Sequence, residues 1–263
     1  KSTRGWVWNA KKMNGTRGTV QDMVAGAITG ANGRSVAAPR GAIAEVVAAL
    51  TDVKKAWRIL VPSDALDRSG WGTTGRLRDM IDRGDSQLRT AEVDSPAVVG
   101  ERIQAVAVRS GLATASWVDT NPSDSDVRET LERVWERSDL VSLDCPSTTN
   151  VCDTVKQLAD GEEAARLRDL TSPARDRDLD LTATAVWAAA DGEPRRDTLV
   201  DSVADVGKVS ETTVSRRIRR LTESGILTSE RDPTEVDGRG PPPTRVVRDA
   251  EPPLSRLQQE ALQ

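Results

Sequence analysis

The 263-residue sequence contains no His, no Phe and no Tyr. At ordinary amino-acid usage a chain of this length would carry roughly two dozen of these residues. Imidazole is the usual general base near neutral pH and the commonest nitrogen ligand of metal ions in proteins. Its absence excludes Ser-His-Asp and Cys-His triads and every zinc site that requires histidine. We therefore predict that the chain is not an enzyme and holds no metal and no cofactor.

Cysteine and long apolar segments are also scarce. The two thiols, Cys145 and Cys152, are spaced as C-x6-C, which fits neither the C-x2-C zinc pattern nor a redox C-x-x-C motif. Two ordinary buried thiols are expected in a reducing cytoplasm, and a disulfide between them is the alternative. Since there is no run of 18 or more apolar residues and no signal-peptide pattern, we predict a cytoplasmic chain that does not span a membrane.

Charged residues are abundant and unevenly distributed. Arg supplies 30 of the 37 positive charges and Asp supplies 26 of the 41 negative ones, a usage that indicates a high-GC, salt-adapted organism. The net charge of -4 divides into +6 over residues 1–40, -7 over 41–171 and -3 over 172–263. For residues 1–40 we favour a loosely ordered basic tail over an arm that binds nucleic acid.

Residues 41–171 alternate between helical and strand patterns. Helices are predicted at 42–50, 76–83, 151–158 and 162–170, and a further helix buries Val127, Leu131, Val134 and Trp135 on one face. Strands are predicted at 57–61, 87–91, 97–99, 103–108 and 112–118. This order predicts an α/β or α+β domain, which we expect to form a homodimer or to sense a small-molecule effector. The Pro-containing, Arg- and Asp-rich residues 172–180 are interpreted as a solvated linker.

Beyond the linker the sequence predicts three successive helices. The first covers residues 181–190, with Asp180 as its N-cap and Asp191-Gly192 at its end. The second follows Asp197, and Gly207-Lys208 form a tight turn after it. Ser210 then caps a third helix over residues 211–224, which stops at Gly225.

The third helix combines a narrow apolar stripe with a basic face. Val214, Ile218 and Leu221 fall within a 60° arc that can pack on the preceding helices. Residues 208–220 carry five positive charges and one negative charge. Arginine reads guanine edges or binds phosphates, and threonine contacts phosphate or a thymine methyl. We therefore predict that this segment binds DNA through Lys208, Ser210, Thr212, Thr213, Ser215, Arg216, Arg217, Arg219 and Arg220.

A predicted hairpin follows the third helix. Residues 226–228 and 245–247 can pair as strands, and a Gly- and Pro-rich tip between them carries Arg239. Together with the three helices this is the order of a winged helix-turn-helix domain over residues 181–248, followed by a tail at 249–263. Arg239 and Arg245 are predicted to contact the minor groove or phosphates beside the recognition helix. The expected partner is double-stranded DNA, and we expect the fragment 179–249 to bind it.

The segments VSETTVSRRIRRLTESGIL and DGRGPPPTRVV resemble the DNA-binding half of archaeal winged-helix transcriptional regulators. The chain is similar in particular to haloarchaeal regulators of the TrmB-suppressor (TbsP) type. The resemblance implies an N-terminal α/β domain followed by a C-terminal winged helix that binds specific DNA sequences.

A second motif indicates a different function. Gly70-Trp71-Gly72-Thr73-Thr74-Gly75 matches G-x-G-x-x-G, the phosphate-binding pattern of dinucleotide folds. Pro62 and seven further residues separate it from the preceding predicted strand, and Trp71 is bulky for a phosphate turn, so we favour a flexible loop. The alternative function is a nucleotide- or phosphate-binding enzyme in the N-terminal domain, with the winged helix as an interaction module.

Overall fold

The computed structural model describes residues 26, 28, 35–38, 42–51, 53, 55–67, 69–84, 86–93, 97–99, 103–106, 117–120, 125–172, 179–232 and 243–249. The described residues fall into two compact units. The N-terminal unit lies within Lys1–Ser69 and Arg76–Leu143, and the C-terminal unit within Gly70–Gly75 and Asp144–Gln263. Both helices and strands occur, as the predicted mixed architecture requires. Across the described ranges, no helix is long and apolar enough to cross a bilayer.

The N-terminal unit is built on one mixed sheet. Its strands are β1 (Ser35–Ala37), β2 (Arg58–Val61), β3 (Gln87–Thr90), β4 (Ala97–Val99), β5 (Ile103–Val106), β6 (Trp117–Thr120) and β7 (Asp139–Leu140). The spatial order is β6-β5-β4-β1-β2-β3-β7, in which β1, β2 and β3 are parallel and the other neighbours pair in antiparallel fashion. The strands predicted at 97–99 and 103–108 are present as β4 and β5, which pair in antiparallel fashion, and β6 shares Trp117 and Val118 with the predicted strand at 112–118.

Helices α1 (Ile43–Thr51), α2 (Ser63–Asp67), α3 (Trp71–Asp82) and α4 (Ser125–Arg137) accompany this sheet along the chain. Val46, Val47 and Leu50 of α1 are buried, as are Ile59 and Val61 of β2. An apolar run that ends at a proline is typical of a strand covered on both faces, so the sequence predicted β2 correctly. Trp135 is buried, as its predicted helix face requires, and Trp57, the first residue of the predicted strand 57–61, is buried as well.

The C-terminal unit consists mainly of helices. They are α5 (Thr148–Leu158), α6 (Gly161–Leu170), α7 (Leu181–Ala189), α8 (Arg196–Gly207) and α9 (Glu211–Glu223), and a 3-10 turn (Ala190–Gly192) continues α7. Strands β8 (Leu227–Arg231) and β9 (Thr244–Arg248) follow and form an antiparallel pair. The three helices and two strands that the sequence predicts after residue 180 are therefore all present.

Four helices of this unit begin at Ser or Asp side chains that accept hydrogen bonds from the first turn. Asp180 Oδ1 accepts from the Ala183 amide at 3.1 Å, and Ser210 Oγ accepts from the Thr213 amide at 3.2 Å. Ser147 and Asp160 cap α5 and α6 in the same way. Because such oxygens satisfy amides that have no partner within the helix, these residues fix where each helix starts. The predicted caps at Asp180 and Ser210 are confirmed.

Helix α7 is the centre of the C-terminal unit. Every residue from Thr182 to Ala190 is buried, which is typical of a helix surrounded by others. Leu167 of α6, Leu199 of α8 and Ile218 of α9 belong to the same core cluster. The continuous part of this unit therefore begins at Asp144, well before the predicted linker at 172–180, because α5 and α6 pack with the helices that follow the linker.

The expectation of a flexible loop at Gly70–Gly75 is wrong, because α3 already begins at Trp71. The Trp71 indole Nε1 donates a hydrogen bond to the Pro146 carbonyl oxygen at 2.9 Å. A Cβ on Gly75 would lie only 2.7 Å from Thr148 Oγ1 and 2.9 Å from Trp71 Nε1. Gly75 therefore allows close packing inside a helix, whereas a phosphate-binding glycine would lie in the turn before one.

Candidate nucleic-acid interface

Helix α9 presents opposite faces to the core and to solvent. Val214, Ile218 and Leu221 are buried where α9 packs on α7 and α8. The exposed residues at intervals of three and four along the other face are Thr212, Arg216, Arg219 and Glu223. Because packing fixes the inner face of α9, its outer face has one defined orientation. A binding surface requires such a rigid support.

The start of α9 is built from three of the predicted DNA contacts. Ser210 caps the helix, and its Oγ lies 2.9 Å from Thr213 Oγ1. Lys208 adopts a left-handed conformation with φ of 52° and ends α8, and its Nζ lies 3.6 Å from Asp144 Oδ1. The hydroxyls of Ser210 and Thr213 therefore satisfy each other and the helix start, while the exposed ammonium group of Lys208 remains accessible to solvent.

Arg217 lies apart from the outward-facing arginines. Its Nε is 2.6 Å from Asp180 Oδ2, and the Asp180 side chain is only 9% exposed. At about 100° per residue Arg217 lies roughly 40° from Leu221, at the edge of the buried stripe. Arg217 was predicted to contact DNA, and in the structure its guanidinium group joins α9 to the N-terminus of α7.

The remaining arginines of α9 differ in what they contact. Arg219 Nε donates to Glu223 Oε1 at 2.7 Å, and this hydrogen bond with the carboxylate charge raises the pKa of Arg219 above its ordinary value. For Arg216 and Arg220, no carboxylate of the described residues lies within 4 Å of the guanidinium nitrogens. Thr212 and Ser215 lie on the exposed and half-buried parts of the same surface. Arg216 and Arg220 can therefore bind an anion without first breaking an ion pair.

The base of the β8–β9 hairpin is held by a buried carboxylate. Asp232, whose side chain is 0% exposed, lies between Arg245 Nη2 at 3.0 Å and Arg195 Nε at 2.9 Å. The Val246 amide also donates to the Pro194 carbonyl at 3.0 Å. Arg245, which was predicted to contact DNA, forms an ion pair at the hairpin base in the structure. Arg239, at the predicted tip, lies outside the described residues.

The ion pairs of three carboxylates in this region were not predicted from the sequence. Glu223 follows Arg219 by four residues, and this spacing on one helix face is the signal that could have identified their pair. Asp180 was recognised only as an N-cap, and its contact with Arg217 crosses 37 positions of sequence. Asp232 and Arg195 are separated by the same interval, and nothing local in the sequence indicates such a contact.

The described part of the N-terminal unit contains a cavity of about 20 Å³ beside Trp135, where Ala37, Leu60 and Leu131 also line it. This volume holds about one water molecule. Arg58 and Arg89 lie over the Trp135 ring, with guanidinium carbons 5.4 and 4.8 Å from its centroid. These contacts cover the Trp135 ring with two arginine side chains of the same unit.

Comparison with solved structures gives distant likenesses. No family model matches the chain, and no curated protein matches it. The solved structure of TrmBL2, an archaeal chromatin protein described as showing a novel mode of DNA binding, is similar with a TM-score of 0.36 and 14% sequence identity. The match covers 51% of this chain and 56% of that chain, so it spans little more than half of either protein.

Proposed function

We propose that this chain is a transcriptional regulator that binds specific sequences of double-stranded DNA through a winged helix-turn-helix domain at residues 181–248. In this proposal α8 and α9 form the helix-turn-helix, and β8 and β9 form the wing. The observation that carries it is the outer face of α9, where Arg216 and Arg220 have no ion-pair partner within the described chain and Thr212 is exposed. An exposed basic face on a helix held by three buried apolar residues matches what the major groove accepts.

The proposed docking inserts α9 into the major groove and lays the wing, residues 226–247, on the flanking backbone or minor groove. Arg216 and Arg220 then bind phosphates or base edges, and Thr212 approaches the backbone near the helix N-terminus. Arg239 supplies the wing contact. The whole chain carries a net charge of -4, so we assign the attraction to DNA to this local basic surface, and it should weaken steeply with salt.

In this proposal the chain forms a homodimer. The N-terminal unit either mediates the contact between the two subunits or senses a small-molecule effector. A two-fold symmetric protein with one winged helix per subunit recognises two half-sites about 34–36 Å apart, which is one helical turn of DNA. Selection of bound duplexes from a random pool tests this part, because paired half-sites report both sequence specificity and symmetry.

The proposal includes no catalytic activity. The competing nucleotide-site hypothesis depended on Gly70–Gly75 as a phosphate loop, and helical geometry with close packing at Gly75 does not support that reading. Isothermal titration calorimetry of the full chain with common nucleotides should give no binding heat. Saturable nucleotide binding that Gly75→Ala abolishes in a folded variant would favour the enzyme hypothesis.

The first prediction concerns Arg216 and Arg220, which have no ion-pair partner among the described residues. Arg216→Ala with Arg220→Ala in the full chain should weaken binding to a selected duplex by several kcal/mol in total, at roughly 1–3 kcal/mol for each base contact. For each phosphate contact that is lost, the slope of log affinity against log salt should fall by about 1. Fluorescence anisotropy at several salt concentrations measures both quantities.

The matched control removes the same charge elsewhere. Arg83→Ala with Arg137→Ala changes two exposed arginines of the N-terminal unit, so it reports any general effect of net charge. We expect the control to bind DNA as the unmodified chain does. Equal affinity and salt slope in both double variants would show that α9 does not lie on DNA.

A further inference from the structure

Arg219 differs from the other outward-facing arginines because its side chain is already oriented by a neighbour. Its Nε donates to Glu223 Oε1 at 2.7 Å, although the two side chains are 77% and 59% exposed. A guanidinium group has donors on Nε, Nη1 and Nη2 in one plane. With Nε bound to the carboxylate, the two terminal nitrogens remain as a pair of donors that points away from Glu223.

Guanine is the base whose edge fits such a pair of donors. In the major groove it presents O6 and N7 as adjacent acceptors, and bidentate contact from one arginine is the commonest specific contact with this base. Arginine loses considerable rotamer freedom when it is fixed, and a neighbour that fixes the plane beforehand removes part of that cost. Arg216 and Arg220 have no such neighbour among the described residues, so they are better suited to the less demanding geometry of phosphates.

Glu223 is otherwise difficult to explain on this surface. An exposed ion pair between residues i and i+4 contributes little to stability. A carboxylate on the face that approaches DNA is also repelled by the phosphates, whose charge dominates affinity. A residue that lowers general attraction to DNA and adds little stability fits a role in selecting among sequences.

We propose that Arg219 reads a guanine in the major groove and that Glu223 is a positioning residue that orients its guanidinium group. The inference rests on the proposed function, because it requires α9 to lie in the groove. It adds which residue determines sequence preference and which base that residue prefers. It also divides the basic face into a base-reading position and phosphate-binding positions.

The test uses the full chain and selection of bound duplexes from a random pool, followed by affinity measurements on the selected sequence and on single-base variants. Glu223→Gln should lower discrimination at one guanine position at least tenfold, while binding to unrelated duplexes stays equal or becomes tighter because a negative charge is removed. Arg219→Lys keeps the positive charge but loses the planar donor pair, so it should lose the same preference and keep the salt slope. In the double variant the two losses should not add.

Glu132→Gln is the matched control, since it breaks an exposed Arg–Glu pair with Arg58 in the N-terminal unit and changes the charge equally. It should leave the selected motif unchanged. The inference is overturned if the Arg219 and Glu223 variants select the unmodified motif, or if they weaken binding to all sequences equally, which indicates a phosphate contact. Failure of the unmodified chain to bind any duplex is a separate result that contradicts the proposed function itself.

Discussion

The arginines of α9 are chemically identical, yet their surroundings give them different roles. Arg217 is held by Asp180 at the edge of the core, Arg219 by Glu223 at the surface, and Arg216 and Arg220 by neither. Position around the helix explains the first difference, because Arg217 lies closest to the buried stripe. A count of basic residues therefore overstates how many of them are without a carboxylate partner among the described residues.

A prediction at Arg217 separates packing from DNA binding. Arg217→Ala leaves the largely buried Asp180 carboxylate without its ion pair, so the free energy of unfolding should fall by about 1–3 kcal/mol. Arg216→Ala, the matched exposed neighbour, should change it by less than about 0.5 kcal/mol. Urea denaturation measures both. An Arg217→Ala variant that keeps full stability but binds DNA more weakly would show that Arg217 contacts DNA.

Asp232 carries a second prediction at the residue scale. Asp232→Ala removes the acceptor shared by Arg195 and Arg245, and we expect a loss of about 2–3 kcal/mol from charge-assisted hydrogen bonds. Faster hydrogen exchange of the Val246 amide should accompany it, because that amide bonds to Pro194 at the same hairpin base. Asp201→Ala, an exposed carboxylate of α8, is the control. Unchanged exchange at Val246 would mean that the backbone alone holds the hairpin.

Among the elements, those set by local signals were predicted from sequence and those set by contacts between distant segments were not. The periodic apolar stripe of α9 and its Ser210 cap predicted the bounds of this helix closely. The apolar run before Pro62 predicted those of β2 in the same way. The first turn of α3 was missed because glycine favours loops, whereas packing of Trp71 against Pro146 holds that turn helical. No residue near Trp71 in the sequence indicates its contact with Pro146, which lies 75 residues away.

Gly192 shows why a glycine can be required without unusual backbone angles. The sequence interpretation assigned it to the end of the first helix, but Glu193 takes the left-handed conformation there, with φ of 51°. A Cβ on Gly192 would lie 2.0 Å from the Leu158 carbonyl oxygen, a backbone atom that cannot rotate away. Close approach of the 3-10 turn to the end of α5 therefore requires the glycine.

A third stability prediction follows from this contact. Gly192→Ala should destabilise the C-terminal unit by about 1–3 kcal/mol, as overpacking does elsewhere. Gly161→Ala is the control, because a Cβ there meets nothing within 4 Å and its φ is not positive, so stability should not fall. Thermal unfolding of the two variants compares them directly. Equal melting temperatures would show that α5 moves away from the turn at little cost.

For the molecule as a whole, the sequence predicted a mixed N-terminal unit and a C-terminal basic surface but not where the second unit begins. Charge and composition change at 172–180, which suggested a linker there. Yet Glu163 of α6 binds Arg248 of β9 at 2.6 Å across 85 positions, and both Arg248 and Arg166 lie over the Trp187 ring. A composition shift marks a solvated segment, and only packing decides whether the elements on its two sides share a core.

The last prediction follows from that shared core and revises the fragment expected to bind DNA. A fragment of residues 179–249 lacks α5 and α6, so it exposes Trp187 and leaves Arg248 without the Glu163 carboxylate. Burial of large side chains such as Leu167 contributes about 2–5 kcal/mol each, a large fraction of the stability of a small domain. We therefore expect fragment 144–249 to unfold cooperatively in urea and to bind duplex DNA, and fragment 179–249 to show no cooperative transition at 25 °C.

Glu163→Gln in the longer fragment isolates the ion pair from the apolar contacts, and the stability of this variant should lie between those of the two fragments. A shorter fragment as stable as the longer one would mean that α5 and α6 cover the α7 helix without supporting it.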